Sequence, residues 1–595
     1  MNSLPGPRGL APGLVAGVTV AALAADGGGF APTSWGWSAI ALLLVIGGTL
    51  LLGGGRRLAP VEWALPAMLA ALAGWVWLSL AWSADFSQTV QEGERMLLYV
   101  AVPAAVLLLG SRSRVEWLLA SLAIAITAIC AYALAVRTLV PGRGAYQVLS
   151  TDPQASFRLA RPLGYANALA IFAAMGILLA LGFALRGRTV LVRALGSGAL
   201  VVLAPTLYFT YGRGAWLALA AGLLALLVVE HDRLEALASA LAFGVAPAVA
   251  VLLASRTHAL TGRPASVAAA RHDGRLLAGA IVVLVVGAAL LPAGLVKVGG
   301  PRAAVHRAYH AFNAPAPLVK TNASQRLFSL SGSNRSEYWR VAWREYEDHP
   351  WLGGGAGSYQ RFWLRNRRNS LPVLDAHSLY LETLAELGPL GLVLLLGALA
   401  LPLGVVPAAR RHPLAAAAFG AYIAFLLHAA IDWDWEMTAV TVAALVCGAA
   451  LLLAGRGADT PSLGRTTRGV GVVLATVLCV AAVAGFVGNL AAASATDALD
   501  AEHLSTAARE AKHARRWEPW SPEPWRLLGE AQLQAGQVEQ ARTSFVHGIR
   551  KDGRDWELWL DLALVSRERE RQRALSRVAT LNPLSTELRD LRGSP

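Results

Sequence analysis

Ser333–Gly388 reads SNRSEYWRVAWREYEDHPWLGGGAGSYQRFWLRNRRNSLPVLDAHSLYLETLAELG, and from Pro389 to Val406 the chain turns wholly apolar. The block is polar, aromatic and arginine-dense, whereas the run that follows is long enough to cross a bilayer. Outward from this junction the chain repeats the pattern of long apolar runs joined by short charged connections. With 55% hydrophobic and 15% charged residues and a mean hydropathy of +0.49 over 595 residues, it reads as an integral membrane protein. The fold class expected is all-α, a polytopic transmembrane bundle of about thirteen spans with a large extracytoplasmic loop and a C-terminal helical-repeat domain. The divisions expected are 1–300, N-terminal spans; 301–388, the loop; 389–490, C-terminal spans; and 491–595, repeats.

The net charge of +14 does not call for nucleic acid, because many arginines fall in short loops where the positive-inside rule accounts for them. Arg56/Arg57, Arg112/Arg114, Arg186/Arg188/Arg193, Arg410/Arg411 and Arg456/Arg465/Arg468 mark the cytoplasmic side, while the acidic connection Asp85–Glu94 fits the outside. Leu10–Ala25 reads as an uncleaved first helix in preference to a cleaved signal peptide. Leu237–Ala254 breaks the alternation of sides, and Gly244 and Pro247 at its middle suggest a re-entrant or kinked segment. Without that crossing the chain is N-in and C-out, and Ser333–His377 lies outside. Cys130, Cys447 and Cys479 lie in apolar runs without metal-ligand spacing, so neither a disulfide framework nor a zinc site is expected.

Within the opening block Tyr338, Trp339, Trp343 and Tyr346 recur at helical steps with Arg340 and Arg344 on another face, which suits a helix in the headgroup layer. Gly353-Gly354-Gly355-Ala356-Gly357 is a loop able to approach a ligand closely or to serve as a simple turn; it lacks the Lys-Ser/Thr of a phosphate loop. His377 stands just before a helix at the mouth of a span, where a side chain of pKa about 6.5 can act as a general base or be structural. Glu382 and Glu386 fall about 140° and about 180° around that helix from His377, so no metal-binding face forms. Upstream, Arg213 in TYGRGAW ends a span, a costly place for a guanidinium unless it snorkels or meets an anion. His428 and Asp432 share a helical face, read either as an interhelical hydrogen bond beside an interfacial tryptophan belt or as a hold on the acceptor.

These residues carry a resemblance. Arg335 with YWRVAW, HPWLGGGAGSYQ and DAHSLYLETLAELG resemble the signature region of the O-antigen ligase and O-antigen polymerase family, which includes bacterial protein O-oligosaccharyltransferases. RPLGYANALA is similar to a family stretch through Gly164, Asn167 and Ala170, and TYGRGAWLAL to a Ser-Arg-Gly stretch with Gly212 where Ser is common. The resemblance implies glycosyl transfer from an undecaprenyl-diphosphate-linked glycan at the outer face of the cytoplasmic (inner) membrane, with no cofactor, nucleotide sugar or metal. It implies Arg213 and Arg335, then Arg161 and Arg340, for the diphosphate, and His377 for the acceptor hydroxyl. Asn167, Gly355, Gly357, Tyr380 and Asp432 complete the expected substrate-binding set. The acceptor would be a glycan, glycolipid or protein. A transporter or flippase should show internal repeats, which are not evident, and a scaffold would leave the HPWLGGGAGSY and DAHSLYLE motifs unexplained.

Beyond Ala491 the chain is charged and helical in period. Trp525, Leu528, Gly529, Gly536, Ala541 and Phe545 sit at tetratricopeptide offsets, and Trp559 and Leu562 repeat Trp525 and Leu528 after 34 residues. Gln532, Gly548 and Gly553 depart from the pattern. Such a module resembles a concave peptide-binding stack and points to a protein partner or a protein-bearing acceptor.

Overall fold

The computed structural model describes residues 7–140, 158–261, 267–297, 335–457 and 461–593; Ser333 and Asn334 of the opening block fall outside them. Among the described residues the protein is all-helical, with a single Arg56–Ser462 bridge in place of any strand. The N-terminal part is α1 (Pro7–Ala25), α2 (Pro32–Leu51), α3 (Pro60–Leu78), α4 (Phe86–Leu109), α5 (Val115–Leu139), α6 (Ala166–Arg186), α7 (Val190–Thr210), α8 (Arg213–Val229), α9 (Arg233–Arg256) and α10 (Val267–Lys297). Two short helices follow, α11 (Arg335–Asp348) and α12 (Tyr359–Asn366), then α13 (Leu379–Gly404), α14 (Ala415–His428), α15 (Thr438–Gly455) and α16 (Arg465–Asp500). Among the described residues ten helices are long and apolar enough to cross a membrane, and Ala11–Ala25, Arg213–Val229 and Ala415–His428 are shorter apolar helices in the same bundle. Elements start where local chemistry permits: Pro32 and Pro60 open α2 and α3, and the Asp85 carboxylate caps α4 by accepting from the Gln88 amide at 3.0 Å.

Hydrogen bonds and ion pairs sort the connections onto two faces. On one, Arg56 and Arg57 bond the backbone of Leu108 and Pro461, Arg112 bonds the Arg456 carbonyl at 3.3 Å, and Arg456 pairs with Glu62 at 2.5 Å. Arg188 reaches Glu116 and Arg186 reaches Glu230, each at 2.7 Å. The arginine clusters thus gather on one face. On the opposite face Thr438 donates to the Gly29 carbonyl at 2.8 Å, Thr89 to Ala356 at 2.6 Å, and the Leu379 amide to Ala429 at 2.8 Å. The α1–α2, α3–α4 and α14–α15 turns therefore share that face with the α11–α12 loop and the start of α13.

The stretch Leu237–Ala254, expected to be a re-entrant or kinked segment, lies within the continuous helix α9 and does not re-enter. Its start adjoins Glu230 on the arginine face, and just beyond its end the Leu260 carbonyl accepts from Arg137, at the far end of α5. Pro247 forfeits one backbone bond, which a packed bundle tolerates. Helix α10 then lies antiparallel to α7, with Gly274 against Thr138 and Gly198 against Val285.

Helix α16 continues past the bundle to Asp500, and after a turn at 501–503 come α17 (Leu504–Trp517), α18 (Glu523–Gln534), α19 (Val538–Lys551), α20 (Trp556–Val565), α21 (Glu568–Leu581) and α22 (Thr586–Gly593). Gly529 leaves room for the ring of Phe545, so α18 and α19 close tightly. The tail is seated on the loop helices. Arg361 of α12 donates to Asp85 at 2.6 Å and to both carboxylate oxygens of Asp552, while Arg367 reaches Asn582 at 2.7 Å. Trp556 packs against the apolar cluster of α11 and α12. Removing one member of a partly buried pair leaves the other uncompensated. Arg361→Ala is therefore expected to raise amide hydrogen exchange in both α12 and the α19–α20 turn, and unchanged exchange at either place would contradict the clamp.

Candidate active site

Asp432 lies in the turn between α14 and α15 and is 1% exposed. One carboxylate oxygen accepts from the Tyr165 hydroxyl at 2.6 Å and the Trp433 amide at 3.0 Å; the other accepts from Asn167 Nδ2 and Arg335 Nη2, both at 2.7 Å. Burial alone would raise its pKa. His428, His377 and Arg335 outweigh burial, and the carboxyl is held below its ordinary value. Arg335, the first residue of α11, keeps a buried Nε with no hydrogen-bond partner among the described residues. A donor buried and unused is costly, and an anion would satisfy it.

His377 has φ of 56°, the left-handed region that non-glycine residues avoid. The turn is held from three sides: Glu382 accepts from the Ala376 amide at 2.5 Å, Trp339 donates to the His377 carbonyl at 3.4 Å, and the Leu379 amide is fixed on Ala429. The ring Nδ1 is 3.1 Å from the Asp375 carbonyl. A carbonyl only accepts, so Nδ1 carries the proton and Nε2 keeps its lone pair. Burial, partly offset by Asp432, lowers the pKa of His377, which holds the ring neutral and leaves Nε2 able to take a proton. Tyr338 at 4.7 Å and Trp433 at 6.3 Å, ring centre to ring centre, flank it, and Trp433 stacks on Tyr165 at 4.4 Å.

The Tyr211-Gly212-Arg213-Gly214 turn joins the same cluster. Gly212 faces Asn167 and Ala170, and Gly214 faces His428 Nε2, so the backbone carrying Arg213 is pressed against site residues. Arg213 itself is half-buried in the first turn of α8. Two residues not expected from the sequence complete the group: Tyr165, and Arg158, which bonds Asn167 Oδ1 and, at 2.7 Å, the Thr210 carbonyl. Arg158 stands where Arg161 was expected; Arg161 is exposed and joins none of these bonds.

Other expected residues sit nearby in supporting positions. Arg340 is held by Glu337 at 2.6 Å and by the Asn366 carbonyl at 3.0 Å. Tyr380 braces α13 on α14 through the Leu426 carbonyl at 2.8 Å. Gly355 is pressed on Ser83, and Gly357 lies against Gln88 while its amide donates to Glu386 at 2.9 Å. The glycine run thus lets the α11–α12 turn approach other backbone. His428, expected to share a face with Asp432, bonds Asp434 at 2.8 Å.

Residues 198–396 match the O-antigen ligase family model. The chain carries an O-antigen ligase domain. That domain includes Arg213, Arg335 and His377, whereas Arg158, Tyr165, Asn167 and Asp432 join the site from outside it. The match supports a multi-pass membrane glycosyltransferase of O-antigen ligase or polymerase type. No curated protein matches the chain.

Beside the site Asp375, Glu382 and Glu436 bring carboxylate oxygens within 4.8 Å of one another, a spacing able to hold a cation. Arg95 already supplies a positive charge there, paired with Glu436 at 2.7 Å and with Glu92.

Proposed function

We propose that the protein transfers a glycan from a polyprenyl-diphosphate carrier, undecaprenyl diphosphate by resemblance, to an acceptor hydroxyl on the outer face of the cytoplasmic membrane. The acceptor oxygen attacks the anomeric carbon, the bond to the diphosphate breaks, and the diphosphate departs with the electron pair. His377 Nε2 takes the hydroxyl proton, a role worth typically about 10² to 10⁴ in rate. Arg335, with its open Nε, and Arg213 stabilise the developing negative charge without a metal ion. Asp432 holds Arg335 and, through Asn167 and Tyr165, the wall opposite.

The observation that carries this reading is the neutral histidine and the partly unused arginine converging on one buried carboxylate. Sidedness rests on the arginine clusters, which lie on the face away from the site and by the positive-inside rule would be cytoplasmic. The C-terminal helices then lie extracytoplasmically, where tetratricopeptide-like packing would offer a docking surface to a protein.

The test is transfer by the reconstituted protein from a lipid-diphosphate glycan. Folded His377→Ala and Arg335→Ala variants are each expected to lose about 10²-fold or more in kcat; parent-like rates would refute the assignment. Retained activity in a chelator is expected, and its loss would refute the metal-free mechanism. The kcat/KM of the parent should rise with pH along a limb whose midpoint lies below the ordinary 6.5 of histidine, then stay level.

A further inference from the structure

A cavity of about 350 Å³ lies among α2, α3, α4, α13, α14 and α15, and none of the chemistry above uses it. Its lining divides in two. One half is hydrocarbon, from side chains such as Leu72, Val76, Leu395, Leu399 and Leu445. The other half carries the planar amides of Gln88, Gln91 and Gln360 with carboxylates around Arg95. Trp35, Tyr99 and Trp435 complete the wall.

The charge of Arg95 is already taken, since Glu92 and Glu436 both pair with it. Those two acids already outnumber the one base, before Asp375, Glu382 and Glu386, which also line the cavity, are counted. An anionic head would meet carboxylates in a water-poor space, a repulsion that discriminates strongly. Hydroxyl groups would instead find paired acceptors and donors, and the aromatic faces would cover the apolar side of a ring. Burial pushes the Asp375 carboxyl up to about 7, which adds a neutral donor to that set. The Asp432 cluster is the reverse, drawing Arg158 and Arg335 together for an anion. The turn that carries His377 is common to both, because Asp375 and Leu379 line the cavity while the His377 ring is bonded to the Asp375 carbonyl.

We propose that this cavity seats the acceptor, and that the acceptor is an amphiphile with an uncharged, hydroxyl-rich head on an apolar chain. The proposal rests on the glycosyl-transfer reading. It separates the two substrates by charge, with the diphosphate on the Asp432 side and the uncharged hydroxylated head on the Asp375 side.

Full-length protein in nanodiscs is illuminated with a diazirine-bearing alkyl glucoside or with the matching alkyl phosphate, and adducts are mapped by mass spectrometry. The glucoside is expected to label the α3 and α13 walls saturably, at least about fivefold more than the phosphate. Val76→Phe, which fills the hydrocarbon half, should cut that labelling about fivefold or more. Gln91→Lys, which adds a positive charge to the polar half, should narrow the preference over the phosphate. Equal or stronger labelling by the phosphate overturns the proposal, as does displacement of the glucoside by polyprenyl diphosphate, which would make the cavity the donor's seat. Labelling needs no turnover, so its failure is distinct from a parent that labels yet transfers nothing, which would refute the glycosyl-transfer reading instead.

Discussion

Asp432→Ala is expected to lower kcat/KM for glycan transfer by about 10³-fold or more and to lower the thermal midpoint as well. Two losses combine. The carboxylate accepts from Tyr165, Asn167 and Arg335 at 2.6–2.7 Å, so its removal deprives a guanidinium and two neutral donors of their shared acceptor. Breaking a buried pair on one side costs about 3–5 kcal/mol. In addition, Arg335 would relax from its place beside His377, and displacement of a catalytic group by about 1 Å alone can cost about 10²-fold. Asn is a poor substitute, because its amide would turn donors toward Arg335 or Asn167. The held-down pKa fixes the sign of the pH effect. Stability from the ionised carboxylate is present above the unfolded value near 3.8 and is lost as pH falls through the lower folded value. A folded Asp432→Ala protein within threefold of the parent rate would sink the idea that this carboxylate organises the site.

Gly388→Ala is expected to have the largest effect on folding. Gly388 has φ 66° and ψ −173°, a region essentially closed to residues with a Cβ. A methyl group there would also collide with the Trp351 carbonyl, its carbon at 2.8 Å. Strain and overlap together should destabilise the protein by about 3 kcal/mol or more. The break sits between the first turns of α13, which carry Tyr380, Glu382 and Glu386, and the apolar remainder of the helix. Glu382 holds the turn of His377, so activity should fall with stability. Thermal unfolding in nanodiscs measures the first effect; a midpoint equal to that of the parent would show that the backbone here adapts.

The bundle was readable because bilayer-length apolar runs and their charged ends have few structural solutions. The Leu237–Ala254 stretch misled because glycine and proline interrupt helices in water, whereas neighbouring helices support them in a bundle. The residue types of the candidate site were also readable: Arg213, His377 and Asp432 stood out as charged or titratable groups at the ends of apolar runs, and Arg335 through the resemblance of its motif. Their arrangement was not readable. Asn167 and Asp432 meet across 265 positions, and the preference of His428 for Asp434 over Asp432 depends on how the turn after α14 folds. Tyr165 escaped notice because a tyrosine beside a span is ordinary in the interfacial belt, and Arg158 because Arg161 competed with it. The glycine run carried no sign of whether it makes room for a ligand or for other backbone. The acidic half of the cavity draws Glu92, the Asp375/Glu382 pair and Glu436 from three separate segments, so no window of sequence contains it.

Helix α16 is 36 residues long without interruption, about 54 Å at 1.5 Å per residue, and it joins the arginine face to the C-terminal helices. It therefore works as a shaft with a fixed phase. One inserted residue would turn everything beyond it by about 100° and lift it by about 1.5 Å, taking Asp552 off Arg361. Adding a whole heptad would nearly restore the angle but leave the tail about 10 Å too high. The span and the tail are consequently bound to keep a common register, and lengths of this helix that satisfy both angle and height are few.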